Sequence, residues 1–239
     1  MHEEERRLRD LAVELARQAG QMLLSMKPGE IRSKTSPTDP ATDADRAAEK
    51  LIFDRLREAR PDDTIVAEEG AANTGSSGVQ WIVDPLDGTV NYVYGIPQWC
   101  VSIGVEGAYR FGVIYDPNRD EMFSEPADLT PSSQTELPKA LIATGFGYAA
   151  EDRARQAQVA GRVIPKVRDI RRAGSCALDL AWVASGRLDG YWEQGVKRWD
   201  TSAGLALVEQ AGGFILSEGN LTMAAGTEEL LQSLREAIR

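Results

Sequence analysis

The sequence predicts a mixed fold, α+β in its first half and layered α/β in its second. Three observations carry this. Helical periodicity dominates as far as Leu56, apolar runs separated by tight turns continue to Ser124, and from Ala140 onward strand-like runs alternate with helical ones. A chain of 239 residues is long enough for one enlarged domain or two fused lobes. We place the lobes at 1–130, an α+β unit, and 131–239, an α/β unit, because the segment Glu125–Pro138 between them is polar and carries three prolines.

The first element is a long amphipathic helix, with Leu8, Leu11, Ala12, Leu15, Ala19, Met22, Leu23 and Met26 on one face and Lys27-Pro28-Gly29 as its stop. Ile31–Pro40 reads as a loop or short hairpin. A second helix begins near Thr42-Asp43-Ala44-Asp45, which offers a cap and an acidic first turn, and ends at Arg60-Pro61. Thr64–Ala67 and Trp81–Val83 read as buried strands, and 99–105, 111–115 and 121–124 as a meander. In the second half, strands are expected at 140–144, 167–171, 190–192 and 214–216. Helices are expected at 152–163, 176–185, 200–211 and 227–238.

Composition narrows the chemistry. Asp+Glu exceed Lys+Arg by 37 to 27, a formal net charge of −10, which argues against coating a nucleic acid or lying on an anionic membrane and leaves room for cations. The single histidine is His2, so a Ser-His-Asp triad, a Cys-His pair and a His-based zinc site are excluded. Cys100 and Cys176 stand far apart, as in a protein of a reducing, cytoplasmic compartment. No apolar run reaches membrane-spanning length, and the acidic N-terminus does not read as a secretory signal. Any catalysis falls to carboxylates, hydroxyls, backbone dipoles and bound ions.

Three acidic groups stand at the ends of predicted elements: Glu68-Glu69 after one strand, Asp84-Pro85-Leu86-Asp87-Gly88-Thr89 after another, and Asp200 at the start of a helix. Taken singly each has an ordinary use, as a solvated pair, a turn or a helix cap. Together they follow apolar strands, where ligand sites of layered α/β folds gather. Pro85 forces a turn that lets Asp84 and Asp87 face one concavity with the Leu86 carbonyl between them, a hard-oxygen set suited to Mg²⁺. Asp87-Gly88-Thr89 frees backbone N–H groups suited to phosphate oxygens.

The run Trp81-Ile82-Val83-Asp84-Pro85-Leu86-Asp87-Gly88-Thr89-Val90-Asn91-Tyr92 resembles the first signature of the inositol monophosphatase family. Trp199-Asp200-Thr201-Ser202-Ala203-Gly204, continuing to Gly212-Gly213, resembles its second, and Ala41-Thr42-Asp43, Ala67-Glu68-Glu69 and Gly174-Ser175-Cys176 match in order and type. The resemblance implies a layered αβαβα sandwich of the sugar-phosphatase type and a lithium-sensitive, Mg²⁺-dependent phosphomonoesterase with two or three ions. It implies Glu68, Asp84 and the Leu86 carbonyl at a first ion, Asp84, Asp87 and Asp200 at a second, and Glu68 again at a third. Thr89 and Asp43 would orient and deprotonate water. Gly88 and Thr89 would hold phosphate, Glu193 would bind substrate hydroxyls, and Gly174 and Ser175 would line the pocket. This sequence departs from the family pattern in the shortened Glu125–Pro138 segment and the tight Lys34–Asp43 loop. The expected substrate is a small phosphate monoester, inositol 1-phosphate first, with histidinol phosphate, fructose 1,6-bisphosphate and 3′-phosphoadenosine 5′-phosphate as alternatives. A non-enzymatic, protein-binding regulator on the same scaffold is the alternative of another class. A homodimer is expected, with neither nucleic acid nor membrane as partner.

Overall fold

The computed structural model describes residues 3–33 and 40–239; His2 and the Lys34–Asp39 part of the tight loop lie outside them. Helix α1 (Glu3–Ser25) has Glu3, Glu4 and Glu5 in its first turn, where they complement the helix dipole, and buries the stripe Leu8, Ala12, Leu15, Ala16, Ala19 and Leu23. Strands β1 (Ile31–Ser33) and β2 (Pro40–Thr42) pair antiparallel and lead into α2 (Asp43–Ala59). Thr42 caps α2: its hydroxyl accepts from the Ala44 and Asp45 N–H groups, and the Asp45 carboxylate accepts from the Thr42 N–H at 2.8 Å. The buried face of α2 is Ala44, Asp45, Ala48, Glu49, Ile52 and Leu56, an apolar stripe interrupted by two acids.

Six strands form the first sheet: β3 (Thr64–Ala67), β4 (Ala72–Asn73), β5 (Val79–Asp87), β6 (Cys100–Gly107), β7 (Phe111–Asp116) and β8 (Glu121–Phe123). Their order is β4-β3-β5-β6-β7-β8, and only β3 and β5 run parallel. The short helix α3 (Thr89–Val93) links β5 to β6. The second sheet contains β9 (Leu141–Thr144), β10 (Asp169–Arg171), β11 (Gly190–Gln194), β12 (Phe214–Glu218) and β13 (Leu221–Ala225), in the order β10-β9-β11-β13-β12. It is parallel through β10, β9 and β11, then antiparallel. Helices α4 (Ala150–Val163), α5 (Cys176–Ala184), α6 (Arg198–Gln210) and α7 (Glu228–Ile238) complete the chain.

These elements stack as an αβαβα sandwich. Helices α1 and α2 cover the first sheet, α5 and α6 fill the space between the sheets, and α4 and α7 cover the second sheet from outside. Each sheet therefore buries both faces, which is why β7 and the first six residues of β6 are buried continuously rather than in alternation. Between the layers, Glu106 of β6 receives the Arg198 guanidinium at 2.6 Å and the Ser202 hydroxyl at 2.7 Å. Burial would raise the Glu106 carboxyl, but these donors from α6 outweigh it and hold the group below its ordinary value.

Two expected features differ. Strand β5 does not end in a turn at Asp84-Pro85 but continues to Asp87, with its register against β6 shifting between Asp84 and Asp87. Helix α6 begins at Arg198, so Asp200 is its third residue rather than its cap. Strands β4 and β13 carry no strong strand signal of their own: one has two residues, and the other is rich in alanine and forms by pairing with β11 and β12.

Candidate active site

The parallel pair β3 and β5 sets the geometry. Ala67 stands beside Val83, so Glu68 and Asp84 leave adjacent strands side by side. Asp84 pairs with Ser102 of β6 and Asp87 with Cys100. Residues 100 and 102 share a face of β6, and cross-strand partners share a face with each other, so Asp84 and Asp87 lie on the same side of the sheet. A regular strand would have sent residues three apart to opposite sides; the extra residue of the bulge prevents that. Pro85, with no N–H to offer the ladder, is tolerated there. The shared concavity that a proline turn was expected to create is thus produced by a bulge.

Both acids are buried. The Leu86 N–H donates to Asp84 Oδ1 at 3.1 Å. Asp87 Oδ2 accepts from the Ser175 hydroxyl at 2.6 Å and from the Ala177 N–H at 2.7 Å, which fixes it to the start of α5. Gly88 follows with φ of +99°, and a Cβ there would lie 2.9 Å from the Gln98 carbonyl oxygen, so only glycine fits. Thr89 then opens α3. Its hydroxyl donates to Asp45 Oδ1 at 2.8 Å and lies 3.1 Å from the Leu86 carbonyl oxygen. Asn91 donates to the Gln98 and Ala173 carbonyls at 2.6 and 2.9 Å, tying α3 to the loop that carries Gly174 and Ser175.

Asp43, expected beside Thr89, is not there. Its carboxylate is half-exposed, accepts from the Glu30 N–H at 3.0 Å and pairs with Arg46. Those two partners, the backbone N–H first, hold it below the ordinary carboxylate value. Asp45 is the residue that meets Thr89, and it is wholly buried. The physical reason is helical: two residues apart means about 200° around the axis, so Asp43 and Asp45 face nearly opposite ways. Glu49, one turn further along the inner face, accepts from the Glu69 and Ala71 N–H groups at 2.7 and 2.9 Å and so secures the turn after Glu68. The acids at four-residue spacing within an apolar stripe were the signal for both.

Asp200 is held by the Lys197 N–H at 2.6 Å. Glu193, on β11, accepts from the Tyr191 hydroxyl at 2.9 Å, and Gly145 lies so close that a Cβ would stand 2.1 Å from its carboxylate. Burial raises the Glu193 carboxyl to about 7, against the opposing pull of the Tyr191 hydroxyl and Arg172.

Burial also pushes Asp84 well above its ordinary value, and the next causes are the negative charges of Glu68, Asp87 and Asp200. Asp200 is raised by burial too, and again by Asp87, Glu68 and Glu193. The structure therefore brings Glu68, Asp84, Asp87 and Asp200 into one electrostatic neighbourhood. The close approach of Glu68 adds the last contribution to the rise of the Asp84 carboxyl. As the side chains stand, no three acidic, histidine or cysteine groups among the described residues converge on one ligating point. The donor set nonetheless fits a hard divalent cation: four carboxylates and a carbonyl, all oxygen, in a buried site where a cation would relieve the repulsion. A larger hollow of about 580 Å³ lies elsewhere, lined by Leu137, Lys166 and Glu236, and contains none of these acids.

An αβαβα sandwich with acids gathered at the carboxyl ends of its central parallel strands is the scaffold of a sugar-phosphatase-type phosphomonoesterase. The family model described as "Inositol monophosphatase family" matches residues 4–238, and the chain belongs to that family of generally metal-dependent phosphoric monoester hydrolases. It is 44% identical over 208 residues to inositol-1-monophosphatase SuhB of Mycobacterium tuberculosis, covering 79% of this chain and 72% of that one. It is 38% identical over 221 residues to Nus factor SuhB of Salmonella typhimurium, covering 86% and 83%. The crystal structure of extragenic suppressor protein suhB from Bartonella henselae superposes with a TM-score of 0.88 at 35% identity, over 96% of this chain and 97% of that one. Among the described residues no helix is long and apolar enough to cross a membrane.

Proposed function

We propose that this chain hydrolyses a small polyol phosphate monoester, inositol 1-phosphate foremost, in a Mg²⁺-dependent reaction. The observation that carries the reading is the pairing of a one-sided acid cluster, Glu68, Asp84, Asp87 and Asp200, with a buried hydroxyl–carboxylate couple, Thr89 and Asp45. Glu68, Asp84 and the Leu86 carbonyl would hold one ion, Asp84, Asp87 and Asp200 a second, and Glu68 would contribute to a third. When bound, such ions attract the phosphate dianion, lower the pKa of water and neutralise the leaving alkoxide.

The protein's own part begins with Thr89. Its proton is committed to Asp45, so its lone pairs are left to accept a hydrogen bond from water. As water attacks phosphorus, its proton passes to the Thr89 oxygen while the Thr89 proton passes to Asp45; the ester P–O bond breaks, the departing alkoxide takes a proton from solvent water, and Asp45 gives its proton back to solvent. Asp45 replaces Asp43 in this role. The Gly88 and Thr89 N–H groups face the phosphate, Gly174 and Ser175 line the pocket, and the Glu193 carboxylate accepts from substrate hydroxyls. Histidinol phosphate, fructose 1,6-bisphosphate and 3′-phosphoadenosine 5′-phosphate are the competing substrates; a homodimer in the cytoplasm is the expected setting.

The deciding experiment is phosphate release from this panel with and without Mg²⁺. Turnover of inositol 1-phosphate that chelation abolishes supports the reading, and no release from any of the four would overturn it. The name of the Salmonella relative favours a second reading, a protein-binding regulator. A pulldown partner retained by Asp84→Asn, with no hydrolysis by the parent, would select it.

A further inference from the structure

The face of β6 that meets the acids is polar where the opposite face is not. Val101, Ile103 and Val105 join the core under α1 and α2. Cys100, Ser102, Gly104 and Glu106 alternate with them and face the layer between the sheets, where Glu106 receives the Ser202 hydroxyl and Gly104 meets α6. Two residues of this inner row stand directly across from acids of β5: Cys100 from Asp87, and Ser102 from Asp84.

The two rungs are built alike and finished differently. At the first, the Cys100 thiol points at its carboxylate, with Sγ 3.9 Å from Asp87 Oδ2, and Ser175 and Ala177 add stronger donors. At the second, the Ser102 hydroxyl is wholly buried and has no hydrogen-bond partner among the described residues. A buried hydroxyl without a partner costs the fold free energy and calls for a reason. Its neighbours on that face are Cys100 and Gly104 along the strand, and Asp84 and Ile114 across it. Of these, Asp84 alone carries an oxygen acceptor in its side chain. The next hydroxyl along the layer, Ser202, already donates to Glu106 at 2.7 Å. A Cβ on Gly104 would stand 2.2 Å from the Ser202 oxygen, so α6 packs too closely here for a larger donor than serine to fit without displacing it.

We propose that Ser102 is a positioning residue for Asp84, donating its hydroxyl proton to that carboxylate when a divalent cation occupies the acid cluster. The inference rests on the reading of the acids as a cation site and is independent of which ester is hydrolysed. A carboxylate shared between ions needs its direction fixed, and a hydrogen bond from the strand behind it does so. A hydroxyl suits this place because it brings no positive charge to compete with the ion.

Calorimetric titration with Mg²⁺ and thermal melts in chelator test this on the parent, Ser102→Ala, Ser102→Cys and Ser77→Ala. Ser102→Ala raises the Mg²⁺ Kd about tenfold. In chelator it melts no lower than the parent, because the deleted hydroxyl has no partner to lose. Ser102→Cys keeps the shape but donates weakly, and raises Kd severalfold. Ser77→Ala does the reverse: its hydroxyl donates to Asp63 at the far end of the strands, so the Tm in chelator falls and Kd is unchanged. An unchanged Kd in both Ser102 variants overturns the proposal. So does a raised Kd in Ser102→Ala together with a Tm in chelator below that of the parent, which marks a packing defect. A parent that binds no Mg²⁺ overturns the cation reading and the proposal together. None of these readouts uses hydrolysis: a chain that binds Mg²⁺ and releases no phosphate loses the phosphatase reading, while the Ser102 variants still decide this one.

Discussion

The two ends of the parallel pair β3 and β5 bury acids in opposite ways. At the amino-terminal end, Asp63 is wholly buried and fully partnered: Arg60 lies 2.9 Å away, the Ser77 hydroxyl 2.6 Å and the Trp81 indole N–H 2.8 Å. At the carboxyl-terminal end, Asp84 is just as buried, yet the charges that act on it most strongly are those of Glu68, Asp87 and Asp200. Burial alone would raise both carboxyls. At Asp63 the donors, Arg60 first, outweigh it and hold the group below its ordinary value; at Asp84 the neighbouring charges add to it. A buried acid surrounded by donors is a part of the fold. A buried acid surrounded by acids is a place where a cation from outside completes the structure.

The sharpest way to break the comparison is to remove the charge at each end. Asp84→Asn should lower kcat/KM for inositol 1-phosphate on the order of 10³-fold, because the proposed site gives this residue to both ions. It should cost the metal-free fold no stability, since it deletes a charge that has no counter-charge. Mg²⁺ should raise the Tm of the parent and leave that of Asp84→Asn nearly unmoved, as binding linkage requires. Thermal melts with and without the ion check this alongside initial rates. A stabilised parent and an equally stabilised variant would contradict the assignment of Asp84 as a shared ligand.

Next in size is the pair Asp45 and Asp43. Asp45→Asn should reduce kcat by about 10²-fold or more while KM changes little, because the group takes a proton only as the reaction proceeds. Asp43→Asn should leave kcat within about twofold, since among the described residues its carboxylate serves the Glu30 N–H and Arg46 at the surface.

At the other end of the strands, Asp63→Asn should lower folding stability by about 2–3 kcal/mol, leaving part-buried Arg60 and the Trp81 N–H short of a charged acceptor. Activity per folded molecule should be unchanged. The sign with pH follows from the lowered carboxyl: the contribution is present above the ordinary carboxylate pKa and fades as pH falls through the still lower folded value. Urea melts of the parent and Asp63→Asn should therefore converge in strong acid.

What the residues revealed in advance, and what they hid, follows the same division. Acids placed directly after apolar runs pointed to Glu68, Asp84 and Asp87 as candidates, because ligand sites of layered α/β folds gather where strands end. The device that aligns Asp84 with Asp87 was hidden, since a bulge exists only relative to a neighbour and β6 lies many residues away. Asp45 and Asp43 were confused because both occupy the first turn of α2 and both suit a cap. Only the inward stripe Ala44, Ala48 and Ile52, read together with Asp45 and Glu49, separates them. Strand β13 was hidden because its small residues form a strand only between β11 and β12.

The smallest effect belongs to Glu193, which stands apart from both ends and is raised by burial to about 7. In its proposed role as acceptor for substrate hydroxyls it would have to be ionised, so the apparent KM for inositol 1-phosphate should rise severalfold as pH falls through about 7, with kcat less affected. Substrate phosphate itself titrates nearby, at about 6, so Glu193→Gln provides the control: its KM should be higher at neutral pH and lose the component centred on 7. Stability runs the other way. A carboxyl whose folded pKa exceeds its unfolded one binds more protons when native, so the fold weakens as pH rises from about 4.5 to about 7, and Glu193→Gln should flatten that slope. Above pH 7 the site thus holds a charge that the fold disfavours and the substrate needs, which is the arrangement of the acids at the end of β5 on a smaller scale.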